Sequence, residues 1–260
     1  MFRMKITVLS ENTSACGLPA EHGLSLFIET GPHRILFDAG QSDLFARNAD
    51  ALGIDLTAVD LAVLSHGHYD HGGGMKEFLR INRTAPLYIN RNAFGQYYNG
   101  EKYIGLDPAL KEHSRVVLTG DKTVVAENMT LFTCNGQKKT VDFGSFGLSV
   151  LKKGEQLPDG FLHEQYLLIK ENGKRVLISG CSHKGILNIM DWFRPDVLVG
   201  GFHFSKLPQD DTLRKYAEAL DAFDADYYTC HCTGTEQYAY MNRFMARLHY
   251  ISAGDVIVIP

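Results

Sequence analysis

The stretch LAVLSHGHYDHGGG, residues 61–74, places three histidines and an aspartate directly after an apolar run that is typical of a buried strand. In an extended segment residues two apart point the same way, so we expect His66 and His68 to share a face and to bind one divalent cation. Asp70 and His71 follow at a turn that the three glycines allow, which aims them at a second cation and leaves the site open to a substrate. The stretch predicts a metal site, because no requirement of folding selects these four side chains together.

Composition sets the class of protein. The chain has 260 residues, of which 45% are hydrophobic and 22% charged, which predicts one globular domain over residues 1–260. A formal net charge of -4 argues against a nucleic-acid partner. The sequence has neither a signal peptide nor an apolar run long enough for a membrane span, so we expect a cytoplasmic protein without membrane association. The five cysteines make an odd count and are expected to be reduced thiols.

Short apolar runs rich in β-branched residues recur along the chain and predict strands. They are MKITVLS, LSLFIE, RILFD, LAVLS, PLYIN, RVVL, LFTC, YLLIK, RVLIS, DVLVGG and DVIVI. Helical spacing predicts helices at residues 43–52, 75–81, 186–193, 211–223 and 235–248. Strands in runs with helices between them indicate two sheets, or one large mixed sheet, covered by helices.

A weak internal similarity refines this prediction. Residues 28–40 read IETGPHRILFDAG and residues 169–181 read IKENGKRVLISGC, and both fit a strand, a tight turn with glycine, and a second strand. Each half of the chain is therefore expected to carry the same hairpin. Two such β-halves packed face to face with helices outside form an α/β/β/α sandwich of four layers.

The motif H-x-H-x-D-H, matched by His66, His68, Asp70 and His71, resembles the hallmark of the metallo-β-lactamase-fold hydrolases. LFDAG at residues 36–40 is similar to an early strand of that superfamily that ends in an aspartate turn. EHGLSLFIE, GCSHKGI, GGFHF and CHCTG are most similar to the branch named for 7,8-dihydropterin-6-ylmethyl-4-(β-D-ribofuranosyl)aminobenzene-5′-phosphate synthase. The resemblance implies the α/β/β/α sandwich and metal-dependent hydrolysis, and it does not fix the substrate.

The same resemblance implies further metal ligands. His163 lies 18 residues ahead of Cys181, as the third motif of the superfamily lies ahead of its fourth, and would complete a set of three histidines on the first metal. His231 ends a strand and precedes a glycine, as the last metal histidine of the superfamily does. It would join Asp70 and His71 on the second metal.

The stretch SGCSHKG departs from the superfamily pattern, which places a bridging aspartate after the glycine. Cys181 stands in that place and His183 follows it. A Cys181 thiolate can ligate zinc or iron. Alternatively Cys181 is a small buried residue, while His183 is a ligand or a proton donor. If neither residue bridges, the second metal would be held weakly, and a one-metal site is the alternative.

Other residues are implied by the branch and the fold together. Glu21, His22 and His203 fall on loops at the metal edge and look like substrate-contacting or supporting groups. Asp38 is expected to orient the ligand loop by accepting hydrogen bonds.

Two segments near the predicted site can be explained by packing or by a surface position, without a functional role. Cys230 and Cys232 flank His231 but would point away from it in an extended chain, so we expect them to be packing residues. The segment 90–107 is rich in tyrosine, glycine and asparagine, and it is either a loop over the metal edge or a surface excursion.

These features predict a hydrolase that uses one or two divalent cations, with zinc expected and iron or manganese as alternatives. The cations would activate water, Asp70 would hold the second cation and orient the nucleophile, and His183 or His203 would protonate the leaving group. The expected substrate is a small ester, lactone, cyclic phosphate or phosphodiester. The alternatives are a catalytically silent metal- or ligand-binding protein and a pterin-related phosphate synthase. An iron redox enzyme is a third, for which an appended flavin domain would be expected.

Overall fold

The computed structural model of the protein describes residues 3–259. The strands are β1 (Met4–Ser10), β2 (Ser25–Thr30), β3 (His33–Phe37), β4 (Leu61–Val63), β5 (Leu87–Asn90), β6 (Gln96–Asn99), β7 (Lys102–Tyr103), β8 (Val116–Thr119), β9 (Lys122–Ala126), β10 (Met129–Phe132), β11 (Leu148–Lys152), β12 (Glu155–Pro158), β13 (Tyr166–Glu171), β14 (Lys174–Ile178), β15 (Val197–Val199), β16 (Asp226–Thr229), β17 (Leu248–Tyr250) and β18 (Val256–Ile259). The α-helices are α1 (Leu44–Ala51), α2 (Tyr69–Gly72), α3 (Met75–Ile81), α4 (Ile186–Phe193), α5 (Asp211–Asp221) and α6 (Thr235–Met241).

Two large sheets share one plan. The first has the strand order β18-β1-β2-β3-β4-β5-β8 and the second β17-β16-β15-β14-β13-β10-β9. Each contains an antiparallel hairpin, β2–β3 or β13–β14, followed by parallel strands, β4 and β5 or β15 and β16. The register pairs Ile28 with Ile35 in one hairpin and Ile169 with Val176 in the other. The hairpin predicted in each half is confirmed.

Three apolar layers hold the sheets and helices together. The inner faces of both sheets meet in one core, to which Ile6, Ile28 and Val63 come from the first sheet and Leu167 and Val199 from the second. The outer face of the first sheet packs against α1 and α3, and that of the second packs against α4, α5 and α6. Because side chains alternate along a strand, each central strand places one set in the core between the sheets and the other set in the layer under the helices. The predicted α/β/β/α sandwich is confirmed.

The structure adds strands that the sequence did not predict, β9 among them, and it shortens one predicted helix. The segment 90–107 contains β6 and β7, which join β11 and β12 in a third sheet of order β12-β11-β6-β7. We call this sheet the cap; its strands are short and mostly polar, so their hydrophobic pattern is weak. The helix predicted at 235–248 ends at Met241, because residues 248–250 form β17, which pairs in parallel with β16.

The parallel strands set the place of the site. The carboxyl ends of β3 and β4 meet at one edge of the first sheet, and those of β14, β15 and β16 meet at one edge of the second. Loops that follow these ends carry the histidines singled out above. Within residues 3–259 no helix combines the length and the apolar run needed to cross a bilayer.

Candidate metal centre

Side chains from the ends of several strands converge between the two sheets. His66 follows β4, Cys181 follows β14, His203 follows β15, and His231 follows β16. Donor atoms of His66, Cys181 and His183 lie within 4.8 Å of one another, and so do those of His71, Cys181 and His231. Donors far apart in the sequence thus form two adjoining groups that share Cys181.

The first group contains imidazoles that are ready to accept a cation. The Ser65 hydroxyl donates to Asp38 Oδ2 (2.7 Å), so Ser65 Oγ accepts from Nδ1–H of His66 (2.8 Å). His66 Nε2 and His68 Nε2 are buried and have no hydrogen-bond partner within residues 3–259. Burial, with the neighbouring imidazoles, holds the pKa of His66 and of His68 well below the ordinary histidine value. Both rings are therefore neutral and each offers a nitrogen lone pair.

His183 belongs to this group. Its Nδ1–H donates to Glu164 Oε1 (3.0 Å), which also accepts the backbone N–H of His183 (2.7 Å). Although burial alone would raise the pKa of Glu164, the His183 hydrogen bond and charge lower it, so Glu164 is a carboxylate. This carboxylate leaves His183 Nε2 as the nitrogen available at the cavity wall.

His163 lies beside the group with both ring nitrogens engaged. Its Nδ1 accepts the backbone N–H of Gly67 (2.9 Å), and its Nε2 donates to Asp159 Oδ2 (3.0 Å). The ligand role expected of His163 therefore conflicts with its hydrogen bonds, and His183 stands in that position next to His66. The spacing of 18 residues to Cys181 points to the loop before β13, whereas His183 lies on the loop after β14.

The second group is held by two oriented imidazoles. His71 donates from Nδ1 to Asp38 Oδ2 (2.7 Å), and its Nε2 lies 3.2 Å from Cys181 Sγ. His231 donates from Nδ1 to Asn12 Oδ1 (2.8 Å), and its Nε2 lies 3.4 Å from Asp70 Oδ2. Asp38 thus supports the ligand loop through His71, as expected of a carboxylate behind a metal histidine.

Asp70 is a carboxylate facing this second group. Burial alone would raise its pKa, but the neighbouring imidazoles of His22 and His231 hold the pKa of Asp70 well below its usual range. Its negative charge suits a divalent cation between these side chains.

The three remaining predicted side chains differ in whether they line the cavity. Glu21 accepts from the backbone N–H of Gln41 (3.1 Å) and from Ser42, so it holds that loop and does not line the cavity. His22 does line the cavity, next to Asp70. His203 also lines it, with its ring centroid 4.5 Å from that of His183. A substrate role for Glu21 therefore conflicts with its position, because its carboxylate accepts hydrogen bonds from the loop behind the site.

Residues outside the predicted set support the site. Glu11 accepts the backbone N–H of His231 (2.6 Å) and the Tyr250 hydroxyl (2.8 Å), and Asn12 fixes the ring of His231. Both follow the end of β1, so the position of two polar residues directly after a buried strand was the available signal. Glu164, next to His163 in the sequence, accepts the hydrogen bond that orients the ring of His183.

Cys230 and Cys232 do not behave alike. Cys230 lies in the core between the sheets, as expected of a packing residue. Residues 231–233 form a single 3-10 turn in which His231 has a φ of 46°, so the chain is not extended there. Cys232 Sγ therefore reaches the cavity, where it accepts the backbone N–H of His203 (3.3 Å) and adjoins Cys181.

The glycines after the motif serve close packing. Gly73 and Gly74 have helical dihedrals, with φ of -60° and -77°. A Cβ would lie 2.4 Å from the Gln41 carbonyl oxygen at Gly73 and 2.2 Å from that of Ala39 at Gly74. The expected turn lies at residues 73–74, between α2 and α3, but it uses ordinary helical dihedrals. These positions lack side chains because another backbone lies against them.

A cavity of about 430 Å³ opens onto both groups. Phe146 and Leu148 line it from the cap side, and Lys102 and Lys206 also line it. The Lys102 ammonium donates to the Tyr69 hydroxyl (3.0 Å) and lies over that ring. The segment 90–107 therefore does cover the metal edge, through β6 and β7 of the cap.

Comparison with known proteins agrees with this architecture. The family model described as the metallo-beta-lactamase superfamily matches residues 18–223. The chain belongs to the metallo-beta-lactamase superfamily. Members of this superfamily are mostly metal-dependent hydrolases.

Three relatives match between 88% and 98% of the chain. The crystal structure of Tm1679, described as a metal-dependent hydrolase of the beta-lactamase superfamily, has 32% identity and a TM-score of 0.81 over 98% of each chain. An uncharacterized Methanocaldococcus jannaschii protein, MJ0448, is 29% identical over 88% of this chain and 90% of its own. A 7,8-dihydropterin-6-methyl-4-(beta-D-ribofuranosyl)-aminobenzene-5'-phosphate synthase from the same organism is 27% identical over 98% and 96%.

Proposed function

We propose that the protein is a metal-dependent hydrolase with a site for two divalent cations. One observation carries the proposal: four imidazoles donate Nδ1–H to a protein acceptor, which leaves Nε2 free to bind a cation. They are those of His66, His71, His183 and His231. Such paired orientation is typical of metal-ligating histidines.

The donors divide between the two cations. His66, His68 and His183 would hold the first, and Asp70, His71 and His231 the second. Cys181 lies in both groups and its thiolate would bridge them. A mixed nitrogen and sulfur donor set favours zinc or iron over manganese, and we propose zinc.

When bound, the cations would lower the pKa of a water molecule and polarise the oxygen of the bond under attack. Asp70 would orient the attacking water, since its carboxylate lies at the cavity wall. His203 would protonate the leaving group. Its ring lies against those of His183 and Phe146, with centroid distances of 4.5 and 4.3 Å, and Nδ1 is buried without a partner in the described part of the chain.

The cavity fits a small substrate. Phe146 and Leu148 offer apolar surface, and Lys102 and Lys206 offer positive charge. We therefore propose a small ester, lactone, cyclic phosphate or phosphodiester, with a negative charge near the lysines. A pterin-related phosphate synthase is the second candidate, because the relative with that name matches 98% of the chain.

The test combines elemental analysis with an activity screen. Protein purified without added metal should contain zinc or iron, and chelation should abolish hydrolysis of at least one ester, lactone or phosphodiester until metal is restored. His66→Ala should lose both metal and activity, whereas His113→Ala, at a histidine outside the cavity lining, should lose neither. Full metal content in His66→Ala would contradict the site, and metal without hydrolysis of any of these substrates would contradict the activity.

A further inference from the structure

The loop before β2 brings a third imidazole to the second group of donors. His22 Nε2 lies 3.2 Å from Asp70 Oδ2, and His231 Nε2 lies 3.4 Å from the same oxygen. Nitrogen and oxygen ligands bound to one four- or five-coordinate zinc at ~2.0–2.1 Å, with angles of about 90–109° between them, are about 2.9–3.4 Å apart. Both imidazoles therefore stand from Asp70 at the distance that separates ligands of one ion.

The backbone fixes His22 in this place. Gly23 has a φ of 152°, and a Cβ there would lie 2.4 Å from the Asp70 carbonyl oxygen. That oxygen accepts the N–H of Leu24 (3.2 Å). The loop is thus docked directly on the segment that carries Asp70, and a side chain at Gly23 would push it away.

A second contact ties the loop to His231. Asn12 Oδ1 accepts Nδ1–H of His231 (2.8 Å) and also the backbone N–H of Gly23 (3.2 Å). One side-chain oxygen therefore positions both His231 and the residue that follows His22. The two ring centroids lie 4.8 Å apart.

We propose that His22 is a ligand of the second cation, together with Asp70, His71 and His231. The inference rests on the proposed function, because it needs the metal site to exist. His22 differs from its partners in exposure: its side chain is 57% exposed, against 1% for His231. It closes the solvent side of the second cation, at the mouth of the cavity.

The alternative is that His22 only donates a hydrogen bond to Asp70. His22→Gln separates the two roles, because a glutamine amide can donate to Asp70 but is a poor zinc ligand. Removing residues behind metal ligands costs 10–100-fold in affinity, so losing a direct ligand should weaken the second zinc by at least about 100-fold. The first zinc should stay bound as in the unaltered protein.

The measurement is zinc stoichiometry and affinity by chelator competition, followed by absorption of the cobalt-substituted protein. His249→Gln, at an exposed histidine stacked on Tyr228, is the matched control and should bind two equivalents. In His22→Ala, free imidazole should restore the second equivalent and the cobalt spectrum.

Two results would overturn the inference in different ways. A His22→Gln variant that binds the second zinc with unaltered affinity would reject the ligand role and leave the hydrolase standing. If the unaltered protein binds no metal at all, both the inference and the proposed function fail.

Discussion

Asp38→Asn tests the link between the first sheet and the metal site. Asp38 is fully buried and accepts three hydrogen bonds at 2.7 Å, from the backbone N–H and the hydroxyl of Ser65 and from His71 Nδ1. Asparagine keeps one carbonyl oxygen, which can still accept the Ser65 N–H. Its amide group then faces His71 Nδ1–H, and two donors meet.

The magnitude follows from what is lost. The bond between Asp38 and His71 involves a charged acceptor, and such bonds contribute about 1.5–3 kcal/mol. We expect the metal-free variant to be destabilised by about 2–3 kcal/mol. His71 can recover a bond only by moving its proton from Nδ1 to Nε2, and that removes the lone pair needed by the second cation. Zinc affinity at the second site should therefore fall about 10–100-fold.

Urea unfolding in excess chelator gives the first quantity, and chelator competition gives the second. Asp60→Asn is the control: Asp60 is exposed and accepts the backbone N–H of Arg34 (2.7 Å), so it should cost no more than about 1 kcal/mol. Unaltered zinc affinity and unaltered stability in Asp38→Asn would refute the reasoning.

Three further outcomes are expected. His183→Ala should lose the first cation, whereas His163→Ala should be destabilised but keep it; elemental analysis decides, and the reverse pattern would restore the ligand role of His163. Saturating zinc at about 1,000 times its Kd should add about 4 kcal/mol of stability, measured as a higher Tm than with chelator, and His66→Ala should abolish most of that difference. Burial lowers the pKa of Lys184 from 10.5 to about 8. Between these two pH values the unfolded chain binds more protons than the folded chain, so the free energy of unfolding should rise with pH by up to about 3 kcal/mol, a rise that Lys184→Met should lack. Urea unfolding of both proteins at the two ends of this pH window measures the difference.

The sequence was most informative where one local pattern answers one physical requirement. The hairpins at residues 28–40 and 169–181 repeat because each must bury one face between the sheets and the other under helices. The histidine motif after β4 likewise predicted where side chains meet, because carboxyl ends of parallel strands share an edge.

Such patterns could not predict which way a histidine ring faces or where one backbone segment lies against another. Whether His163 or His183 faces the cavity depends on two hydrogen bonds between loops: Gly67 donates to the ring of His163, and the ring of His183 donates to Glu164. Gly73 is required by a carbonyl from residue 41, a contact that spacing cannot reveal. The cap was missed for a related reason, since its strands have only two to five residues and its apolar side chains, Tyr97, Leu148 and Val150, pack with Phe161 from another loop.

The strand order has a consequence for how such proteins can exchange parts. β18 returns to the first sheet beside β1, and the cap takes β6 and β7 from before β8 but β11 and β12 from after β9. A single recombination crossover anywhere between β1 and β18 therefore divides at least one sheet between two parents. Chimeras of this protein would inherit mismatched strand partners, so variation in its loops is better explored by replacing segments within one intact scaffold.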